Sequence, residues 1–255
     1  MYPGFLTALS FLTRLWPPRI ATGEDFARSL PWFPLVGLTA GLAAAAPAWL
    51  GLFDGRPELQ GWLMVGISLW LTRGLHADGL ADVADAWGSN AKGERFWVIM
   101  KDSRIGPFGV LGLLMALLGQ ALAFGALAGE GRLGAVVWCF VLGRGLGVAA
   151  LCVCRERVRP GLSALFAPCA TARTLGLALA QTVLLGLVLA GLRGLVLGLA
   201  ASCAALFVLA RLSRRQMGFN GDFIGACIVL GELAGALGCL VWCRVREIRM
   251  HRTPS

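Results

Sequence analysis

The stretch PFGVLGLLMALLGQALAFGALA, Pro107 to Ala128, holds one strongly polar side chain, Gln120, and no charge. An α-helix rises about 1.5 Å per residue, so a run of this length reaches across the roughly 30 Å hydrocarbon core of a bilayer. LGAVVWCFVLGRGLGVAALCVC, Leu133 to Cys154, repeats the pattern with Arg144 at its middle. Working outward, similar runs occupy about 32–53, 59–75, 174–192, 194–212 and 224–243, which makes seven candidate spans. The run 59–75 is short and can continue into the polar segment after it. Only Leu192, Arg193 and Gly194 separate the fifth and sixth spans, so a tight hairpin is expected there.

Composition agrees with these runs. The chain of 255 residues is 57% hydrophobic and only 15% charged, with a mean hydropathy of +0.73. Soluble domains carry about a quarter charged residues. The apolar residues come in helix-length blocks rich in Leu, Ala and Gly, and alternating strands of about ten residues are missing, which argues against a β-barrel. The expected fold is all-α: one membrane-embedded domain over 1–255, a polytopic integral membrane bundle of about six or seven transmembrane helices. Many of the 35 glycines fall inside spans, where small residues permit close helix contact in lipid.

The net charge of +9 does not indicate nucleic acid, because Lys and Arg are scattered through the connections between spans. Segments 1–31, 76–106, 155–173 and 211–223 hold 14 of them, whereas the short connections hold Arg56, Arg132 and Arg193. The positive-inside rule therefore places the N-terminus and the long connections in the cytoplasm. The tail resists this rule, since seven spans put Arg244, Arg246, Arg249 and Arg252 outside. Either a span is miscounted or the last segment, with Glu232 inside it, does not cross simply. The eight cysteines form no disulfide or zinc pattern and suit an apolar-filler role. The N-terminal stretch, with Pro3, Pro17 and Pro18 and no basic start, does not read as a cleavable signal peptide.

Three polar clusters interrupt the apolar runs. In HADGLADVAD, His76 to Asp85, the residues Asp78, Asp82 and Asp85 are spaced i, i+4 and i+7, within about 60° on one helical face. Three carboxylates so placed repel one another unless a cation sits among them. Hard oxygen ligands favour Mg²⁺ or Mn²⁺, and Mg²⁺ commonly takes one or two carboxylates plus substrate phosphates. His76 falls on a different face, which suits capping or support of the stripe better than ligation. The second cluster, Lys101, Asp102, Ser103 and Arg104, precedes the third span and carries cations suited to phosphate. A solvated, salt-bridged loop is the plain alternative for both clusters. The third cluster is RRQMGFNGDFIGA, Arg214 to Ala226, in which Gly218, Gly221 and Gly225 permit a tight backbone beside Asp222. Arg144 and Glu232 are intramembrane charges, hence functional candidates, although they can also pair with each other.

Together these segments resemble the cobalamin synthase family, the adenosylcobinamide-GDP ribazoletransferases, over nearly the whole chain. FLTRL (Phe11–Leu15), PWFPLVG (Pro31–Gly37), HADGLADVADA (His76–Ala86), IMKDSRIGPFG (Ile99–Gly109) and GFNGDFIGA (Gly218–Ala226) carry the resemblance. In the last motif the family has a Gly-Gly pair and a threonine before Gly-Asp, where this chain has Met217 and Asn220. The resemblance implies a Mg²⁺-dependent transferase of the bacterial cytoplasmic (inner) membrane with its site facing the cytoplasm. It would join α-ribazole, or its 5′-phosphate, to adenosylcobinamide-GDP and release GMP. The implied roles are metal ligation by Asp78, Asp82, Asp85, Asp102 and Glu232, and catalysis by Lys101, Arg104 and Asp222. Substrate contacts would come from Arg14, Ser103, Arg144, Arg215, Gly218, Asn220 and Gly221. Lipid is the other expected partner, no nucleic acid is expected, and a homo-oligomer stays open. Two alternatives belong to other classes. A CDP-alcohol phosphotransferase needs an Arg where Asp82 follows Ala81. An ion-coupled transporter needs its acids near the bilayer midplane on repeated, broken helices.

Overall fold

The computed structural model describes residues 3–18 and 20–250, with side chains as far as Val241. Eleven α-helices occur among them: α1 (Pro3–Leu12), α2 (Gly23–Ser29), α3 (Phe33–Trp49), α4 (Pro57–Thr72), α5 (Leu75–Gly88), α6 (Glu94–Met100), α7 (Pro107–Gly129), α8 (Leu133–Cys154), α9 (Ala172–Leu189), α10 (Gly191–Arg215) and α11 (Gly221–Met250). No strand accompanies them among the described residues; Val158 and Phe219 form a single isolated bridge. Six helical stretches are long and apolar enough to cross a membrane. The helix α4 spans 16 residues, about 24 Å, which falls short of a full crossing by itself.

The helix α8 is the axis of the bundle. Its apolar stretch is 89% buried, against 22% for α9 and 28% for α10, whose outer faces are left to lipid. Lipid tails are as apolar as leucine, so close backbone packing takes over from hydrophobic burial in holding the helices together. Small residues make that packing available. Gly37 and Gly41 of α3 lie against the backbone of Phe140 and Val137, and Gly231 and Gly235 of α11 lie against Leu146 and Leu142. On the far side, Gly61 of α4 meets Ala121 and Gly125 of α7.

Neighbouring helices alternate in direction. Pro57 sits beside Gly125 and Gly129, Gly134 sits beside Leu189, and the Arg132 guanidinium donates to the Cys239 carbonyl at 3.0 Å. The turns 50–56, 130–132 and 190 therefore share one end of the bundle. The N-terminal segment, 73–106, 155–171 and 216–220 share the other. Seven of the described helices run between the ends, so α1 and the far end of α11 lie at opposite ends. The cysteines whose side chains are described are all free thiols. The side chains of Arg244, Arg246 and Arg249, and residues His251 and Arg252, lie outside the described residues.

Several boundaries move from the expected ones. The break between α9 and α10 falls at Ala190–Gly191 rather than at 192–194, because Gly191 takes a left-handed φ of +73°. The run 59–75 does not continue into the aspartate stripe. Arg73 and Gly74 are both left-handed, with φ of +57° and +70°, and they end α4 before α5 begins. The Gly74 amide returns to the Leu69 carbonyl at 2.9 Å, as in a Schellman-type helix end.

These contacts predict a paired outcome. Gly61→Val forces a side chain into the Ala121 carbonyl and should cut the yield of monodisperse protein in detergent gel filtration. Gly66→Ala in the same helix enters open space and should leave that yield unchanged.

Candidate active site

The aspartates lie at the end of the bundle that carries the long connections, on a helix pressed against α11. Gly79 of α5 and Gly225 of α11 make this approach available. A methyl group on Gly79 would stand 2.8 Å from the Asp222 Cα, and one on Gly225 would stand 3.0 Å from the His76 carbonyl oxygen. Such distances exclude any larger residue without moving a backbone. The contact brings Asp222, distant in sequence, beside Asp78 and Asp82.

Two further ties fix the surrounding loops. Gln216 accepts from the Gly93 amide at 3.0 Å and donates to the Ala91 carbonyl at 3.3 Å, while the Trp97 indole donates to the Gln216 carbonyl at 3.0 Å. The α5–α6 connection is thereby stapled to the turn before α11. In that turn Met217 has a φ of +50°, where a side chain costs about 1–2 kcal/mol and glycine costs little. A glycine here, as the resembled family has, suits this backbone better than methionine does. Asn220 caps α11: its Oδ1 accepts from the Phe223 amide at 3.4 Å, and its Nδ2 donates to Asp222 at 2.6 Å. Threonine is also an N-cap residue, so the exchange of threonine for asparagine keeps the cap and adds a donor to Asp222.

The third aspartate of the stripe is engaged differently. Asp85 accepts from the Gly106 and Gly109 amides, each at 2.7 Å, and so caps the N-terminus of α7 from another helix. Each of its oxygens keeps a free lone pair, but its position is set by α7. Asp102 is also spoken for. It accepts from the Arg104 side chain at 3.1 and 2.9 Å and from the Arg104 amide at 3.0 Å, and these bonds hold its carboxyl at about 2. Among the described residues Lys101 makes no ion pair.

Two cavities meet at Asp78 and Leu75. One, of about 650 Å³, is open and of mixed lining, with the charged side chains of Arg73, Asp78, Asp82, Lys101, Asp102 and Arg104 on its walls. The other, of about 290 Å³, is mostly apolar and lies between α1, α3, α8 and α11. Phe11, Phe33 and Phe166 line it, with Asn220 and Asp222 at one wall. Phe11, Phe26 and Phe33 each pack against Phe166, with ring centroids 5.4–5.6 Å apart.

Of the expected site residues, this end gathers Asp78, Asp82, Asp85, Lys101, Asp102, Ser103, Arg104, Asn220, Gly221 and Asp222 around the cavities. Arg144 and Glu232 are not brought there. They pair with each other inside the bundle, 1% and 5% exposed, about 15 Å of helix beyond Asp222, and Gln120 donates to the second Glu232 oxygen. Arg14 is exposed and stacks over Trp70, Arg215 faces solvent, and Gly218 is packed under Trp97 and Arg159. His76 is no helix cap, because Gly74 holds that position. It is buried, and its Nε2 has no partner among the described residues. Sequence reasoning did not single out Arg73, Phe26 or Phe166, and it quoted Phe11 and Phe33 only within motifs, with no role. Arg73 left a trace as a lone cation between span and stripe; Phe166 left none.

Among the described residues no three acidic, imidazole or thiol groups converge tightly enough to cage a metal ion. The electrostatics still favour a cation. Burial, and then the charges of Asp222, Asp78 and Asp85, push the Asp82 carboxyl up to about 7. A divalent ion among Asp78, Asp82 and Asp222 would remove that repulsion, and Mg²⁺ needs only one or two carboxylates once phosphate oxygens complete its shell.

The fold and this end together define a multi-pass membrane protein with an acidic and basic cleft at one bundle end. The cobalamin-5-phosphate synthase pattern matches residues 4–240, and the chain belongs to that family. It is 47% identical over 232 residues to an adenosylcobinamide-GDP ribazoletransferase of Nitratidesulfovibrio vulgaris (strain Miyazaki F), covering 91% of this chain and 92% of that one. It is 34% identical to proteins of the same name from Prosthecochloris aestuarii, over 95% and 97% of the two chains, and from Citrobacter koseri, over 92% and 98%. No solved structure matches the chain significantly. Family membership sets aside the lipid phosphotransferase and transporter alternatives.

The Asp82 shift has a testable sign. Its folded value lies above the usual 3.8, so the folded state holds the proton more tightly, and stability is lost as pH rises from about 4 to about 7. In metal-free detergent buffer, Asp82→Asn should raise the melting temperature at pH 8 by a few degrees and leave it nearly unchanged at pH 4. A variant equally stabilised at both pH values would show that charge repulsion is not the cause.

Proposed function

We propose that this protein is the transferase that joins α-ribazole, or its 5′-phosphate, to adenosylcobinamide-GDP, releasing GMP. The observation that carries this reading is the junction at Asp78, where a charged cavity holding Lys101, without an ion pair among the described residues, meets an apolar, aromatic one. A diphosphate suits the first and a planar, largely apolar base suits the second. The names of the relatives supply the donor substrate, and the geometry suggests where its parts would go.

The attacking group is a ribose hydroxyl of the acceptor. Its oxygen forms a bond to the phosphorus attached to cobinamide, the bond from that phosphorus to the bridging oxygen breaks, and the bridging oxygen leaves with GMP. Asp222 lines the apolar cavity next to Asp78, and it takes the hydroxyl proton. Lys101, with no acidic partner to satisfy, neutralises the phosphate that leaves, and Ser103 and Arg73 orient it. Arg104 contributes less charge because Asp102 already binds it. Asp78 and Asp82 would hold Mg²⁺ with Asp222 adjacent, and Asp85 would position that wall through α7. The ion would supply charge neutralisation across the diphosphate. Phosphoryl transfer depends chiefly on such positioning and charge.

Orientation follows from charge. The end bearing the cleft holds most of the lysines and arginines of the connections, which supports placing it on the cytoplasmic side of a bacterial inner membrane. The donor's nucleotide is then delivered from the compartment where nucleotides are made.

Purified protein in lipid nanodiscs should release GMP from adenosylcobinamide-GDP only when acceptor and Mg²⁺ are both present. Lys101→Ala should lower turnover by about a hundredfold while keeping the wild-type gel-filtration profile. Asp82→Asn should lose a comparable factor at saturating Mg²⁺; near-normal GMP release by that variant would sink the metal-ligand role.

A further inference from the structure

Beside the apolar cavity lies a shallow, solvent-open depression of about 520 Å³, bordered by Arg157, Arg159 and Arg214 with Glu156 as its one acid. Pro160 borders both. The two are linked by a short parallel pairing. The Phe219 amide donates to the Arg157 carbonyl at 2.8 Å, and the Arg159 amide donates to the Phe219 carbonyl at 2.8 Å. Segment 157–161 therefore runs alongside 217–221, with the basic depression at one end and Asn220, Gly221 and the aromatic cavity at the other. Two or three extended residues, about 7–10 Å, separate the two ends.

The arginines differ in their commitments. Arg159 is engaged by Glu94 at 3.3 Å and stacks on the Trp97 ring at 4.5 Å. Arg157 and Arg214 have no ion pair among the described residues, and the Arg157 Nε is buried without a hydrogen-bond partner. A buried, unpaired guanidinium donor is costly unless an anion satisfies it. The depression thus carries a net positive charge, one ribose length from a slot suited to a planar base.

We propose that the acceptor binds with its base in the aromatic cavity and its 5′-phosphate on Arg157 and Arg214. These two arginines then select the phosphorylated acceptor over the free nucleoside. The proposal rests on the acceptor being α-ribazole or its 5′-phosphate, as inferred above. It places the acceptor phosphate among different residues from Lys101, since the two basic sites share no lining side chain, so the acceptor phosphate and the donor diphosphate do not compete for one set of cations.

The test is calorimetric binding of α-ribazole and of α-ribazole 5′-phosphate, without donor, to full-length protein in phosphatidylcholine nanodiscs. Wild type should bind the phosphate about ten- to a hundredfold more tightly than the nucleoside, the range expected for a charge-assisted contact. In Arg157→Gln with Arg214→Gln that preference should vanish, with nucleoside affinity kept within twofold, and Arg157→Lys should restore part of it. An unchanged preference in the double variant overturns the proposal, and so does an equal loss for both ligands, which would mark the arginines as structural. Normal GMP release with an unchanged preference would sink only the arginine assignment. The predicted binding pattern without GMP release by wild type would sink the transfer reading instead.

Discussion

The site depends on one contact, the meeting of α5 and α11 at Gly79 and Gly225. Without it Asp222 would stand apart from the stripe, and the charged and aromatic cavities would not share a wall. A stripe of aspartates on a helix is cheap while water screens it. It becomes costly when a second helix brings another carboxylate and removes solvent, and the raised Asp82 carboxyl records that cost. Packing energy elsewhere in the bundle holds together a charge arrangement that would disperse by itself. Polar sites inside a low-dielectric frame usually have this form, with local strain held by an over-determined surround.

The surround here is specific. Asp85 sits one turn beyond Asp82 on the same stripe, yet both its oxygens hold α7 amides, so its charge serves the start of a spanning helix. The loop Lys101–Ile105 leads directly into that helix start, so capping by Asp85 sets where Lys101 stands. Gln216 performs the equivalent task on the other side by tying the 91–93 backbone to the turn before Asp222. Two side chains of ordinary type thus couple three sequence clusters into one cleft.

Much of this was legible in the sequence. The apolar runs required a helical membrane bundle, and the i, i+4, i+7 spacing put three aspartates on one face. What the spacing could not reveal is that those aspartates divide their work. Periodicity reports which face a residue shares, whereas the partner of Asp85 is a backbone amide far along the chain. The end of α4 escaped for a similar reason: Arg73 adopts a left-handed backbone with no glycine to announce it, although Gly74 follows. Arg144 and Glu232 were singled out because charges are rare in spans. Rarity marks them equally as a site or as a pair, and only their placement against each other decides for the pair.

That pair bears on the site indirectly. Removing one member of a buried ion pair typically costs about 3–5 kcal/mol, because the other charge is left unpaired, so the pair opposes any sliding of α11 along α8. Gln120 adds α7 to the same lock by donating both to Glu232 and to the Val229 carbonyl. A slide of one residue would rotate Gly225 off His76 and set a larger side chain against α5. The register of α11 is therefore fixed deep in the bundle by charges that touch no substrate cavity. The glycine contact at the bundle end, and with it the meeting of Asp78, Asp82 and Asp222, follows from that register.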